Sequence, residues 1–240
     1  MKNRQRILKG LLLGILGAVL WAASEWLVAA LGAGNDRNGL IESNWAKLPM
    51  WRFRLSVILC SISVPLIGSG VKAFNSAIRY AIRKRYLLDY YVESITEFSM
   101  NMLAGSMLFL MTVKTVIPVI YKSLFATSLM GSEIVATVES VFYHVSIPFY
   151  VFNTIVVAGI SLGYLYFGII GRLRMNPLAA FLNPLTFVIL RFTLGSIGSG
   201  YINDFLSIAE ALGMIFVFFN TLIFATRVPD KKANARRRRR

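Results

Sequence analysis

The chain has 240 residues, of which 56% are hydrophobic and only 15% charged, with a mean hydropathy of +0.63 and a formal net charge of +15. That is too apolar for a water-soluble domain, where about 25% of residues are charged. The basic excess would point to nucleic acid only if a soluble module carried it, and none is discernible, so nucleic acid is set aside and anionic lipid is the expected partner. Cys60 stands alone, which rules out an intrachain disulfide and a cysteine-based zinc cluster; mid-helix, it reads as a small apolar packing residue.

In chain order, the basic start Lys2, Arg4, Arg6 and Lys9 leads into an apolar stretch from Gly10 to Ala33. Its length exceeds the roughly 7–15 residues of a signal-peptide core, so it is expected to be an uncleaved first helix. The following segment, Gly39 to Arg54, places Trp45 and Trp51 where indole rings sit at headgroup level, with Arg52 and Arg54 to meet phosphates. An interfacial re-entry is the preferred reading, and a lid over the bundle the sharper one.

A second span covers Leu55–Ala73, and the basic stretch after it contributes Arg83, Lys84 and Arg85 as further headgroup contacts. The third span, Ile95–Ile120, is entered past Glu93 and Glu97, one helical turn apart and read as inner-face carboxylates paired with those cations. The fourth, Ile147–Ile170, has no helix breaker upstream as far as Glu133. At 1.5 Å per residue such a helix would overrun a core of about 30 Å, and is expected to tilt or to bend near Pro148. Pro177–Ile197 and Phe205–Ala225 complete six spans, and residues 227–240, ending in five arginines, read as a disordered basic tail. The fold class is therefore all-α, a polytopic membrane helix bundle forming a single domain over residues 1–226.

Lysine and arginine distribution gives the orientation. Four lie at the N-terminus, five between spans two and three, two at Arg172 and Arg174, and eight from Arg227 on, making 19 of the 26 on one side. Both termini are accordingly expected in the cytoplasm, most simply at a bacterial plasma membrane.

Within the spans, Gly10 with Gly14 and Gly159 with Gly163 are expected to be packing seams, and Pro65, Pro118, Pro148 and Pro184 to bend four successive helices. Ionisable residues at membrane depth are the most informative feature, since each costs at least about 2.5–3.5 kcal/mol at a helix centre and needs a partner or water. Glu25, Lys114, His144, Arg191 and Glu210 all fall in the outer half of the bundle once each helix is given its direction. They form the candidate polar pocket, with Glu25 and Arg191 as its central charge pair and His144 tuning proton occupancy.

Enzyme signals are poor. One histidine cannot supply a zinc hydrolase, Ser146 is spaced to face away from His144 on a helix, and phosphate-cradling glycine loops are missing. No catalytic residue, metal or cofactor is assigned.

The run LWAASEW at Leu20–Trp26, the Ser43–Trp45 and Trp51–Arg52 loop followed by Pro65, and Leu182–Pro184 together resemble an uncharacterised family of bacterial multi-pass membrane proteins described as a domain of unknown function. The resemblance covers the first third of the chain and one later patch. It implies a shared six-helix topology and no reaction, and it adds no site residues. Two functions from different classes remain: a small-solute or lipid-binding permease using the outer pocket, and a non-transporting scaffold or accessory subunit that holds anionic lipid or a protein partner through its basic face.

Overall fold

The computed structural model describes residues 2–31, 35, 37–38, 41–81, 86–127, 131–173, 175–195 and 204–227. Helix α1 (Lys2–Ala29) is followed by a minimal antiparallel hairpin, β1 (Arg37–Asn38) with β2 (Ile41–Glu42), in which Arg37 opposes Glu42 and Asn38 opposes Ile41. A 3-10 turn (Ser43–Ala46) leads to α2 (Met50–Ala81) and α3 (Leu87–Phe125). Then come α4 (Gly131–Val141), a π turn (Phe142–Ser146), α5 (Ile147–Ile169), α6 (Pro177–Ala180), α7 (Pro184–Gly195) and α8 (Ala209–Arg227).

Among the described residues, five helical stretches are long and apolar enough to cross a membrane: Arg4–Ala29, Met50–Ala81, Leu87–Phe125, Gly131–Ile169 and Ala209–Arg227. Their outward faces are hydrophobic, with Ile155 64% and Phe98 61% exposed among many others. Water would not tolerate a surface so continuously apolar, whereas lipid does. The molecule is an integral membrane helix bundle.

The expected fifth span, Pro177–Ile197, is not one continuous helix. It comprises the single turn of α6, a break at residues 181–183, and the 12-residue α7. The break is written in local chemistry. Asn183 Oδ1 accepts from Thr186 N at 3.2 Å and its Nδ2 donates to Ala180 O at 2.9 Å, so one buried side chain caps the second helix and ties it to the first. Pro184 follows at the first helical position, where its missing N–H costs nothing. Ser161 Oγ on α5 accepts from Leu185 N at 3.0 Å, satisfying another of the backbone donors freed by the restart.

The other prolines act differently. Pro65 and Pro118 lie inside unbroken α2 and α3, while Pro148 is the second residue of α5, which follows the π turn. Lacking an N–H, Pro148 cannot bond the carbonyl of His144, and the helix opens by one residue there instead of breaking.

Helices α1 and α2 run antiparallel at close range. A Cβ on Gly14 would lie 2.7 Å from Gly70 Cα, and one on Gly10 2.7 Å from Ala73 Cβ, so the seam exists because these residues lack side chains. Farther along, Ser24 Oγ donates to Ser56 O and Ser56 Oγ to Ser24 O, both at 2.9 Å. At one end of the bundle Arg4 on α1 donates to Thr226 O on α8; at the other, Asp204 Oδ1 accepts from Leu31 N at 3.3 Å. The two ends of the helical bundle, α1 start and α8 finish, therefore share one face, here the terminal end, and the opposite face is the distal end.

A compact cap covers the distal end. Ile41 packs with Val113, Ile117, Tyr121, Ile134 and Val138, and Leu48 and Phe53 pack with Val28. Trp45, expected at headgroups, instead meets Tyr121 edge-on at 6.2 Å and is half-buried between these clusters. Arg52, also assigned to phosphates, donates from Nε to Leu27 O and from Nη2 to Ala30 O, each at 2.7 Å. Those carbonyls end α1 and have no partner within the helix, and they capture the guanidinium that was read as a lipid contact. Trp51 and Arg54 are exposed, whereas Arg83, Lys84 and Arg85 lie outside the described residues.

Candidate functional site

The densest intramembrane polar chemistry lies in the distal half and draws on four helices. Lys114 Nζ on α3 donates to Glu25 Oε1 on α1 at 2.5 Å. Their side chains are 18% and 1% exposed, so the pair is shielded from bulk solvent. The other oxygen, Glu25 Oε2, is buried with no hydrogen-bond partner among the described residues.

A polar thread runs beside this pair. Ser106 Oγ on α3 donates to Asn153 Oδ1 on α5 at 2.6 Å, and Asn153 Nδ2 donates to Glu210 Oε2 on α8 at 2.9 Å. Ser106 and Asn153 are each 2% exposed. Glu210 is within electrostatic range of both Lys114 and Glu25, and Tyr150 is within range of Lys114.

Helices α3 and α5 keep an antiparallel register through this region, fixed by Ser106 against Asn153 and by the Phe109 and Phe149 rings stacked at 5.2 Å. Continued toward the distal end, that register brings Ser146 level with Thr112 and Val113. Ser146 Oγ is fully buried and, like Glu25 Oε2, has no partner among the described residues. It belongs to the π turn, whose extra residue turns the face of the helix; turns of this kind recur at functional sites.

Of the five residues read as an outer pocket, Glu25 and Lys114 touch, and Glu210, bonded to Asn153, lies within electrostatic range of both. Arg191 is exposed on α7 and acts on Lys114 and Glu210 through charge, not contact, so the partner of Glu25 is Lys114 and not Arg191. His144 is exposed on the π turn, its Nδ1 within 2.7 Å of Ser140 O on its own helix, and stands apart from the cluster.

The second pair, Glu93 and Glu97, lies toward the terminal end. Glu97 is ion-paired with Arg79, and both glutamates line a small groove with Phe74, Asn75, Ile78 and Thr96. The cations expected to neutralise them, Arg83 to Arg85, fall outside the described residues.

Sequence reasoning missed a third cluster. Asp89, fully buried near the start of α3, accepts from Tyr86 N at 3.2 Å, Tyr166 Oη at 2.9 Å and Arg172 Nη2 at 2.7 Å. The Arg172 guanidinium also stands 5.5 Å from the centre of the Tyr86 ring. Asp89 was findable as an acidic residue in the first turn of a helix, where a carboxylate can bond back to the cap. Asn153 was findable as an amide in an otherwise apolar span.

Fold and cluster together define a multi-pass membrane helix bundle with a buried ion pair in its distal half. Over residues 1–227 the chain matches the model of a family of unknown function, DUF6796, and it belongs to that family. No curated protein and no solved structure matches it.

Proposed function

We propose that this protein is a permease that binds a small polar solute or lipid-derived molecule in the distal half of its bundle, with that end facing outward and both termini in the cytoplasm of a bacterial cell. One observation carries the reading: the Glu25–Lys114 pair is buried while Glu25 Oε2 keeps a vacant acceptor site among the described residues. Retaining a charge at membrane depth costs at least about 2.5–3.5 kcal/mol, and an ion pair that only stitched helices together would use both oxygens. The interrupted α6–α7 segment adds support, because broken helices beside polar clusters are how transporters expose backbone groups at depth. The orientation rests on the lysine and arginine asymmetry together with the shared terminal end.

The test is labelling with a membrane-impermeant thiol reagent, applied from outside, of single cysteines placed at positions 25, 114, 191 and 210 in a Cys60→Ala background. Labelling at positions 25, 114 and 210 is expected. Protection of all three in correctly inserted protein would remove the permease reading.

A second reading, a non-transporting scaffold, draws on the Arg4 to Thr226 contact. It gathers the basic start of the chain and the approach to the basic tail on one face, a surface suited to anionic headgroups or a partner protein. That reading predicts loss of vesicle binding when Arg236 to Arg240 are deleted, with no effect of Glu25→Gln.

A further inference from the structure

The Glu25–Lys114 pair is roofed on its distal side by an apolar layer one helical turn thick. Helices α1 and α3 both run toward the distal end, so the residue three positions beyond each partner stands about 4.5 Å above it. Those residues are Val28 and Ile117, both buried, and each is covered by the segment Ile41–Pro49: Val28 packs with Leu48, and Ile117 with Ile41. Trp45 packs against both clusters and joins them. Beneath this layer the Glu25 side chain is 1% exposed.

The covering segment belongs to no span. It consists of β2, the 3-10 turn and three further residues, and its buried apolar anchors are Ile41 and Leu48, with Trp45 half-buried between them. Lys122 Nζ on α3 donates to Ala46 O, and Asn44 Nδ2 donates to Leu31 O at 3.0 Å, which ties the segment to α3 and to the end of α1. Arg52, which bonds the last carbonyls of α1, sits on α2, so α1 stays capped when the segment lifts. Short segments with few buried anchors open at far lower free energy than the long helices beneath them.

We propose that residues 41–49 are a gate, with Trp45 as its bolt and Lys122 as its latch, that controls access to Glu25 from the distal side. Closed, the segment holds Val28 and Ile117 under cover and leaves Glu25 Oε2 buried with no hydrogen-bond partner among the described residues. Open, it withdraws Trp45 and Leu48 from Val28, and water reaches the carboxylate. Hydration of that oxygen favours opening, because a buried acceptor without a partner carries its full desolvation cost; returning Ile41, Trp45 and Leu48 to cover favours closing. These opposed terms act across one short segment, which makes the closure reversible. The gate deepens the permease reading, on which its purpose rests; that the segment seals Glu25 does not depend on transport.

The test is the rate at which a charged thiol reagent modifies Glu25→Cys in the Cys60→Ala background, with the full chain in lipid nanodiscs. Adding Trp45→Ala should raise that rate about tenfold, the effect of making local opening easier by about 1.4 kcal/mol. Lys122→Met, which removes the latch and leaves the apolar layer intact, should raise it about fivefold. Lys47→Met, at an exposed lysine of the same segment, should leave it unchanged. Thr221→Cys, buried toward the terminal end of α8, should stay protected in every variant. An unchanged rate at position 25 in Trp45→Ala, or a rise matched at position 221, would overturn the gate; if Trp45→Ala does not insert, the same two criteria apply to Lys122→Met. The permease reading fails separately. Ready labelling at position 25 without acceleration leaves an open permease site and no gate, whereas protection at 25, 114 and 210 with acceleration in Trp45→Ala leaves a movable seal and no permease.

Discussion

Asp89 and Arg172, 83 positions apart in the chain, meet at 2.7 Å and lock the start of α3 to the turn after α5. Because Asp89 also accepts from Tyr166 and from the Tyr86 backbone, its carboxylate is the hub of the terminal end. Asp89→Ala should destabilise the protein by about 2–4 kcal/mol, the cost of stranding a partly buried guanidinium and losing charge-assisted hydrogen bonds. Arg79→Ala, which breaks the exposed Arg79–Glu97 pair, should cost less than about 1 kcal/mol. Unfolding of the full chain in mixed micelles, followed by circular dichroism, compares the two.

The Glu25–Lys114 pair should show strong non-additivity. Either residue changed alone takes from the other its contact partner at membrane depth; removing both leaves neither charge stranded. Glu25→Ala is expected to cost about 3–5 kcal/mol, and the Glu25→Ala, Lys114→Met double variant distinctly less than the sum of the singles. A double-mutant cycle on unfolding free energies reads the coupling, and additivity within about 0.5 kcal/mol would argue that the two charges are independent.

At the α1–α2 seam, Gly14→Ala should push the helices apart, since the added methyl would meet Gly70 backbone at 2.7 Å and the Phe218 ring at 3.2 Å. A loss of about 1–3 kcal/mol is expected. Gly68→Ala on the same pair of helices meets nothing within 4 Å and should be neutral or slightly stabilising. The contrast, measured under identical conditions, distinguishes close packing from any general sensitivity of glycine positions.

Asn183→Ala removes the cap of α7 and its link to Ala180 O, with an expected cost of about 1–2 kcal/mol. Hydrogen exchange should quicken at Thr186, whose N–H bonds the Asn183 side chain, while Tyr164 and Phe167 on α5 stay protected. Uniform exchange across α5 and α7 would mean that the interruption is not held by this residue.

Much of the fold was legible because membrane crossing demands long apolar runs, and these stand out wherever charge is sparse. The runs around Gly10, Leu55, Ile95, Ile147 and Phe205 each became a long helix. The run from Pro177 was equally apolar, and hydropathy could not show its interruption; the Asn183-Pro184 pair, a cap followed by a helix-starting proline, carried that information in two residues. Depth counting brought Glu25, Lys114 and Glu210 to one level, since position along a helix converts directly to distance. Which of them touch depends on the rotation of each helix about its axis, and that is set by packing; thus Arg191 faced outward and Lys114 took its place beside Glu25. The loop after α1 misled for a related reason: Trp45 and Arg52 suit a headgroup layer, but Tyr121 and the free carbonyls of α1 were nearer partners.

Helix α3 has 39 residues, about 58 Å at 1.5 Å per residue. Even at a tilt of about 40°, the steep end for membrane helices, it would rise about 44 Å along the membrane normal against a hydrocarbon thickness of about 30 Å. Part of it must therefore stand outside the hydrocarbon, among the headgroups or beyond them. At the distal end that surplus is clothed: Ile117 and Tyr121 are covered by Ile41, Ile134 and Val138, and Lys122 Nζ donates to Ala46 O. The chain thus raises a small folded headpiece, with its own apolar centre, clear of the hydrocarbon on that side of the membrane.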